Sequence, residues 1–251
     1  MIINRILKMP LLKMPLMRIG DKLMERNGKL VTIDLDIGDV QPRHLRLRLT
    51  PGTGPNRHDI TSHRSGTWVQ ICTDPNIWDL YVLDGVNQWS NALSLASEET
   101  RINIIGIIDG DASDVTYMDG CFANCPNIRS VGPLYNTDSV VSCWHMFYSS
   151  NGHGSIVQVT PFDTSNVRSF ESMFYGQQKL KVVPLLDTSS STDLTAMYYG
   201  CVNVESGILG AYNEMTSHGS HVAHYMTFYN CGINTPTGRA ELAQIPRDWK
   251  S

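Results

Sequence analysis

Apolar and polar positions in this chain follow two different periods. Leu45, Leu47 and Leu49 alternate with Arg46 and Arg48, the period of two that a half-buried strand requires because successive side chains point to opposite faces. The runs 66–71 (GTWVQI) and 78–83 (WDLYVL) predict two further strands, and Ile102 to Ile108 is expected to lead into the middle of the chain. There the period changes. Val167, Phe170, Met173 and Phe174 fall at i, i+3, i+6 and i+7, which predicts one apolar stripe along a short helix. Ahead of it, Asp163, Thr164, Ser165 and Asn166 offer side-chain oxygens to the free amides of a helix start. Behind it, Gly176 can take the left-handed conformation that ends a helix. Leu180, Val182 and Val183 then predict a short extended piece, closed by Pro184 and Leu185 before Asp187, Thr188 and Ser189 open the pattern again.

That stretch is one copy of a phrase that occurs five times: CFANC at 121–125, MFYSS at 146–150, MFYGQ at 173–177, MYYGC at 197–201 and TFYNC at 227–231. Its second place is always aromatic, and the rings at 122, 147, 174, 198 and 228 are 24 to 30 residues apart. This spacing fits the range of leucine-rich repeats. A single unit cannot bury its stripe, so the units are expected to stack, with Phe122, Phe147, Phe174, Tyr198 and Phe228 in one column and the strands side by side in a parallel sheet. The expected fold is an α/β leucine-rich-repeat solenoid, with one helix–strand rung per copy, over residues 112–232. A β-rich N-terminal cap would cover 45–111. A C-terminal helical cap would cover 233–251, where Ala240, Leu242, Ala243 and Ile245 predict a short helix stopped by Pro246 and Trp249 lies over the last rung. The extra residues from Ser149 to Gly154 are expected to bulge as a loop.

Composition changes this picture at the N-terminus. The chain has 251 residues, 41% apolar and 18% charged, with a net charge of −4, which suffices for a core and excludes disorder over most of the length. Residues 1–50 nonetheless carry ten basic groups against five acidic ones. Arg5, Lys8, Lys13, Pro10 and Pro15 interrupt every apolar run there, so no signal peptide is expected, and no apolar stretch approaches the length of a membrane span. Lys8-Met9-Pro10-Leu11-Leu12 echoes in Lys13-Met14-Pro15-Leu16-Met17, and the prolines forbid a regular helix. Residues 1–44 therefore read as a basic extended arm docking on another chain, with Arg5, Lys8, Lys13 and Arg18 as its anchoring charges. Val31, Ile33, Leu35 and Ile37, alternating with polar residues, would add a strand to a partner's sheet edge; the plainer alternative packs the arm on this chain's own cap. Basic residues alternate with apolar ones instead of clustering, so an acidic protein neighbour is expected and nucleic acid is not.

Little catalytic chemistry is legible. Asp109-Gly110-Asp111-x-x-Asp114 has the start of a calcium loop but lacks its further oxygen ligands, central Gly and distant Glu, so turn capping is the expectation. His218, His221 and His224 would converge on a metal only if helical, and Gly219 and Ser220 argue for an irregular insertion. Cys125, Cys201 and Cys231 share one repeat position as packed thiols; pairing of Cys201 with Cys231 is conceivable only in an oxidising compartment. No nucleophile elbow, phosphate loop, zinc-protease or dinucleotide motif occurs. The expectation is no enzyme activity, no cofactor and no metal.

The stretch DTSNVRSFESMFYGQQKLKVVPLLDTSSSTDLTAMYYGC resembles the BspA-like leucine-rich repeats of bacterial surface proteins, a likeness covering residues 112–232. The segments GILGAYNEM, FYNCG and TGRAELAQIPRDW are similar to the ends of short proteins of this type in phages and prophages of gut bacteria. Gln177 departs from the Cys preferred there, the second copy is expanded and the fifth is degenerate. The resemblance implies a binding or structural component, often on a virion, with no catalytic residues. The expected function is a non-enzymatic recognition protein on a virion, made in the host cytoplasm, anchored by its arm to other virion or assembly proteins and forming a homo-oligomer. Tyr148, Tyr175, Tyr199 and Tyr229 would bind a host-surface glycan or protein, since each offers a flat apolar face and a hydroxyl; second-layer packing between helices is their plainer reading. The alternatives are a purely structural decoration or assembly subunit and a bacterial surface adhesin.

Overall fold

The computed structural model describes residues 25–26, 29–30, 44–55, 66–70, 74–82, 89–93, 96–219 and 222–251. Arg5, Lys8, Lys13, Arg18 and the alternating run from Val31 to Ile37 all lie outside them; of residues 1–43, the described ones form a two-stranded antiparallel pair, β1 (Glu25–Arg26) and β2 (Lys29–Leu30). The alternation at Leu45 builds β3 (His44–Leu49), whose leucines are fully buried. It pairs antiparallel with β5 (Ile77–Val82) on one side and β6 (Ile104–Asp111) on the other, and β4 (Gly66–Gln70) joins β5 at the edge. Arg46 crosses to Asp79 on β5 in a two-pronged pair, Nε to Oδ1 at 2.7 Å and Nη2 to Oδ2 at 2.8 Å, the geometry that best satisfies a buried carboxylate. Beyond β6 the direction changes: β7 (Ser130–Val131) and β8 (Leu134–Tyr135) run parallel to it, and β9 (Gln158–Val159) runs parallel to β7. The result is one mixed seven-stranded sheet in the order β4-β5-β3-β6-β7-β9, with β8 also on β6.

The expected α/β solenoid of helix–strand rungs is overturned. Three short α-helices occur among the described residues, and none carries the repeated phrase: α1 (Glu98–Asn103), α2 (Ile208–Ser217) and α3 (Pro236–Ala243). α1 takes Ile102 away from the expected strand, and α2 occupies part of the stretch between the last two phrases. The column ring of every copy lies in a turn, and Val167 and Phe170 lie in backbone that is neither helix nor strand. The physical reason is backbone handedness. Two residues before each ring, Gly120, His145, Ser172, Ala196 and Met226 all have φ between 53° and 57°, and a left-handed residue inside a turn breaks a right-handed helix. Gly176 is indeed left-handed, at φ 72°, but it closes a turn.

Without helices, the backbone amides are satisfied alternately within and between copies. Met173 and Tyr175 N–H donate to Phe170 and Ser172 carbonyls in their own copy, at 3.0 and 3.1 Å, while Ser172, Phe174 and Gly176 donate to Thr195, Met197 and Tyr199 of the next, each at 2.8 Å. The oxygens expected to cap helices cap these turns instead. Asp163 Oδ1 accepts the Ser165 N–H at 3.0 Å, and the buried hydroxyls of Thr137 and Thr164 donate to the Asp163 and Asp187 carbonyls of the following copy, both at 2.8 Å.

The same pattern begins one copy earlier than the phrase suggests. Trp89, Asn91 and Leu93 donate to Tyr117, Asp119 and Cys121 carbonyls at 2.7–2.9 Å, Asn91 is left-handed at φ 56°, and Leu93 stands where later copies have a ring.

The expected aromatic column is present. Phe122, Phe147, Phe174, Tyr198 and Phe228 stack at centroid spacings of 5.4, 5.4, 5.4 and 5.7 Å, all nearly coplanar, and all are buried. Trp249 covers the last ring at 6.2 Å. In the expanded second copy the main chain keeps bonds to the next copy at Ser149 and Gly154, N–H to the Tyr175 and Gly176 carbonyls at 2.9 and 3.0 Å, and the Gln177 side chain reaches back across the expansion. Its Nε2 donates to the Phe147 carbonyl at 2.5 Å and its Oε1 accepts from Ile156 N–H at 3.2 Å. The departure from Cys at this position and the expansion of the copy before it are thus one feature.

Candidate binding surface

In the last four copies the residue after the column ring is a tyrosine on the outer side of the turn, whereas Ala123 after Phe122 is buried. Tyr148, Tyr175, Tyr199 and Tyr229 occupy this position, and all four are half-buried. They do not pack between helices. They stack on one another at 5.0, 4.5 and 4.7 Å, the last two pairs within 16° of parallel. Two rings that the repeated phrase did not reveal extend the row: His145 stacks on Tyr148 at 4.4 Å, and Trp144 stacks on His145 at 4.0 Å. The result is a ribbon of six rings. Trp144 is 40% exposed, and its backbone N–H is held by Asp119 Oδ1 at 3.1 Å.

Stacking decides what the ribbon can do. Each tyrosine inside the row has its face covered by the next ring, so the flat apolar face expected from the sequence is spent within the protein. Ring edges and phenolic hydroxyls remain. Burial, and then the neighbouring Tyr199 and Tyr148, push the Tyr175 hydroxyl above its ordinary value, which keeps it a neutral donor and acceptor. Burial lowers His145, with Asp119 opposing, which favours the uncharged ring in the stack.

The other candidate groups do not form this site. Asp111 Oδ1 accepts from Ser113 N–H at 3.0 Å, Ser113 Oγ at 2.6 Å and Asn136 Nδ2 at 2.9 Å. Burial alone would raise its carboxyl, and these hydrogen bonds bring it below the usual value. Asp109 faces His44 at 3.4 Å and Arg46 at 3.8 Å, so the calcium-like run is divided between turn capping and ion pairing. His218 pairs with Glu214 at 3.1 Å, whereas His224 faces Asp248 at 3.3 Å and stacks on Trp249 at 4.2 Å; His221 lies outside the described residues. Cys125, Cys201 and Cys231 are buried free thiols. Burial pushes Cys125 and Cys201 up to about 12 and Cys231 well above its usual value, which makes them poor nucleophiles. No helix among the described residues is long and apolar enough to cross a membrane.

Residues 91–212 are similar to a family described as "Mycoplasma protein of unknown function, DUF285". The likeness starts at Asn91, the left-handed residue of the early copy that lacks a ring. No curated protein and no solved structure matches the chain.

Proposed function

We propose that this protein is a non-enzymatic recognition component whose aromatic ribbon, from Trp144 to Tyr229, binds a host-surface glycan or protein. The observation that carries the proposal is the ribbon itself: six rings in continuous contact, five half-buried and Trp144 exposed, on a backbone cross-bonded from copy to copy. A surface ordered before binding loses little side-chain entropy when a ligand arrives, and tyrosine edges with hydroxyls suit a hydroxyl- or amide-bearing partner. In this proposal residues 1–44 anchor the chain to other proteins of a virion, a setting that rests on their basic composition and on the resemblance to BspA-like repeats. The test is a glycan array and a host-cell binding assay on the purified chain, with Tyr175→Phe and Tyr175→Ala. Recognition through hydroxyls is expected to weaken about fivefold or more in Tyr175→Phe, at about 1 kcal/mol per lost hydrogen bond. Equal binding by wild type and both variants would remove the ribbon from the function.

A second reading, a structural subunit contacting other copies or neighbours, is favoured by exposed apolar side chains elsewhere on these copies: Tyr135 is 55% exposed, Val182 50% and Leu185 60%. Light scattering on wild type and Leu185→Asp distinguishes the two, since only the structural reading expects self-association through the Leu185 surface, which the charge would dissociate.

A further inference from the structure

We propose that Asp187, Glu214 and His218 form a binding site for a divalent transition metal of the zinc class. It is the one cluster of three or more metal-ligating side chains among the described residues, and one ligand atom from each lies within 4.8 Å of the others. The proposal is independent of the ribbon and its function.

Sequence and fold converge on the cluster from two directions. Glu214 and His218 are four apart at the end of α2, with Oε1 and Nε2 already 3.1 Å from each other. Asp187 comes from the turn that opens the fourth copy. Both carboxylates are oriented by bonds of their own. Glu214 accepts the Thr188 N–H on Oε1 at 2.9 Å and the Thr188 hydroxyl on Oε2 at 2.6 Å, standing in for the backbone carbonyl that receives the equivalent hydroxyl of Thr137 and Thr164. Asp187 accepts the Ser189 N–H at 2.8 Å. Such outer bonds fix ligand orientation in metal sites.

The charge balance also favours a cation. The carboxyl end of a helix is the negative pole of its dipole, and the last turn of α2 carries no basic residue. An imidazole with two carboxylates is a donor set suited to zinc and its neighbours, whereas calcium and magnesium prefer oxygen alone. Metal–ligand bonds of about 2.0–2.2 Å require the donors to draw together from 4.8 Å. Asp187 and His218 are both exposed, so rotation of their side chains achieves this without moving the backbone. The open side of the site would be completed by water, and the bound ion would tie α2 to the turn at Asp187.

The experiment is calorimetric titration of zinc chloride into the metal-stripped full-length chain, with thermal melts in parallel, on wild type, His218→Ala, Asp187→Asn and the exposed-histidine control His153→Ala. Circular dichroism verifies that each variant folds, and both cluster substitutions sit at the surface. The expected result is one zinc per chain with a raised melting temperature. Binding should weaken more than about tenfold in both cluster variants and stay unchanged in His153→Ala. The proposal is overturned if wild type shows no saturable binding, or if either cluster variant binds as tightly as wild type.

Discussion

Replacing Gln177 by Leu tests whether one side chain holds the expanded second copy in the stack. Gln177 is 4% exposed and spends both ends of its amide on backbone groups of that copy. The flanking residues leave little room for rearrangement: a Cβ on Gly154 would lie 2.3 Å from Gln177 Oε1. Leu keeps the approximate volume but cannot hydrogen-bond. The Phe147 carbonyl and the Ile156 N–H would then lose these partners while Phe147 and Ile156 stay 1% and 2% exposed. Each orphaned group costs about 1–3 kcal/mol, so the expected loss is roughly 2–5 kcal/mol, a large part of the 5–15 kcal/mol typical of a whole domain. Urea unfolding of the full chain, followed by circular dichroism, would show a lowered midpoint with an unchanged slope. Gln178→Leu, next door and half-buried, should shift stability by no more than about 0.5 kcal/mol. A loss below about 1 kcal/mol in Gln177→Leu, or an equal loss in the control, would refute the bridging role.

Two other perturbations follow from the same structure. Gly210 lies within α2, is exposed and has open space where a Cβ would go, so Gly210→Ala should stabilise by about 0.5–1 kcal/mol; a melting temperature at or below wild type would contradict this. Alkali should unfold the protein through its thiols. Burial raises Cys125 and Cys201 from 9.0 to about 12, so the unfolded chain releases protons that the folded chain retains. The raised pKa makes this contribution fully present below pH 9 and lost as pH climbs towards 12, by roughly 1–2 kcal/mol per thiol at pH 10. Melts from pH 7 to 10.5 in reductant should fall above pH 9 and fall less in a Cys125→Ala, Cys201→Ala double variant relative to its own value at pH 7; parallel curves would sink the assignment.

The strands of β3 and β5, the ring column and the outward tyrosines were legible because each depends on short-range alternation or on a phrase that recurs. The helices expected of each copy were misread because Val167, Phe170, Met173 and Phe174 satisfy a helical stripe and a stacked turn equally well. The residue that separates the two is the left-handed one, and His145, Ser172, Ala196 and Met226 give no sign of it, since only Gly120 is a residue that favours such a backbone. The earliest copy escaped notice for the converse reason: Leu93 replaces the ring, and the conformation that marks the copy sits on Asn91. His145 and Trp144 belong to one copy alone, so no repeat could have pointed to them.

One cause accounts for both the buried column and the surface ribbon. Copies that exchange main-chain hydrogen bonds lie about 4.7–4.9 Å apart, the spacing of neighbouring strands, and the rings on the tyrosine side fall at 4.5–5.0 Å. At that separation, a planar side chain repeated at one position must meet its neighbour face to face, whether it points inward or outward. Inside, the consequence is stability, because Phe147, Phe174 and Tyr198 each cover two others. Outside, the consequence is selectivity, because the faces that would grip a sugar ring are already occupied. In the proposed reading, a ligand of the ribbon would therefore be read by edges and hydroxyls along the row. A ligand that bound through face stacking on Tyr175 would have to separate rings that the backbone ladder holds together, so binding by that route would depend on loosening the stack itself.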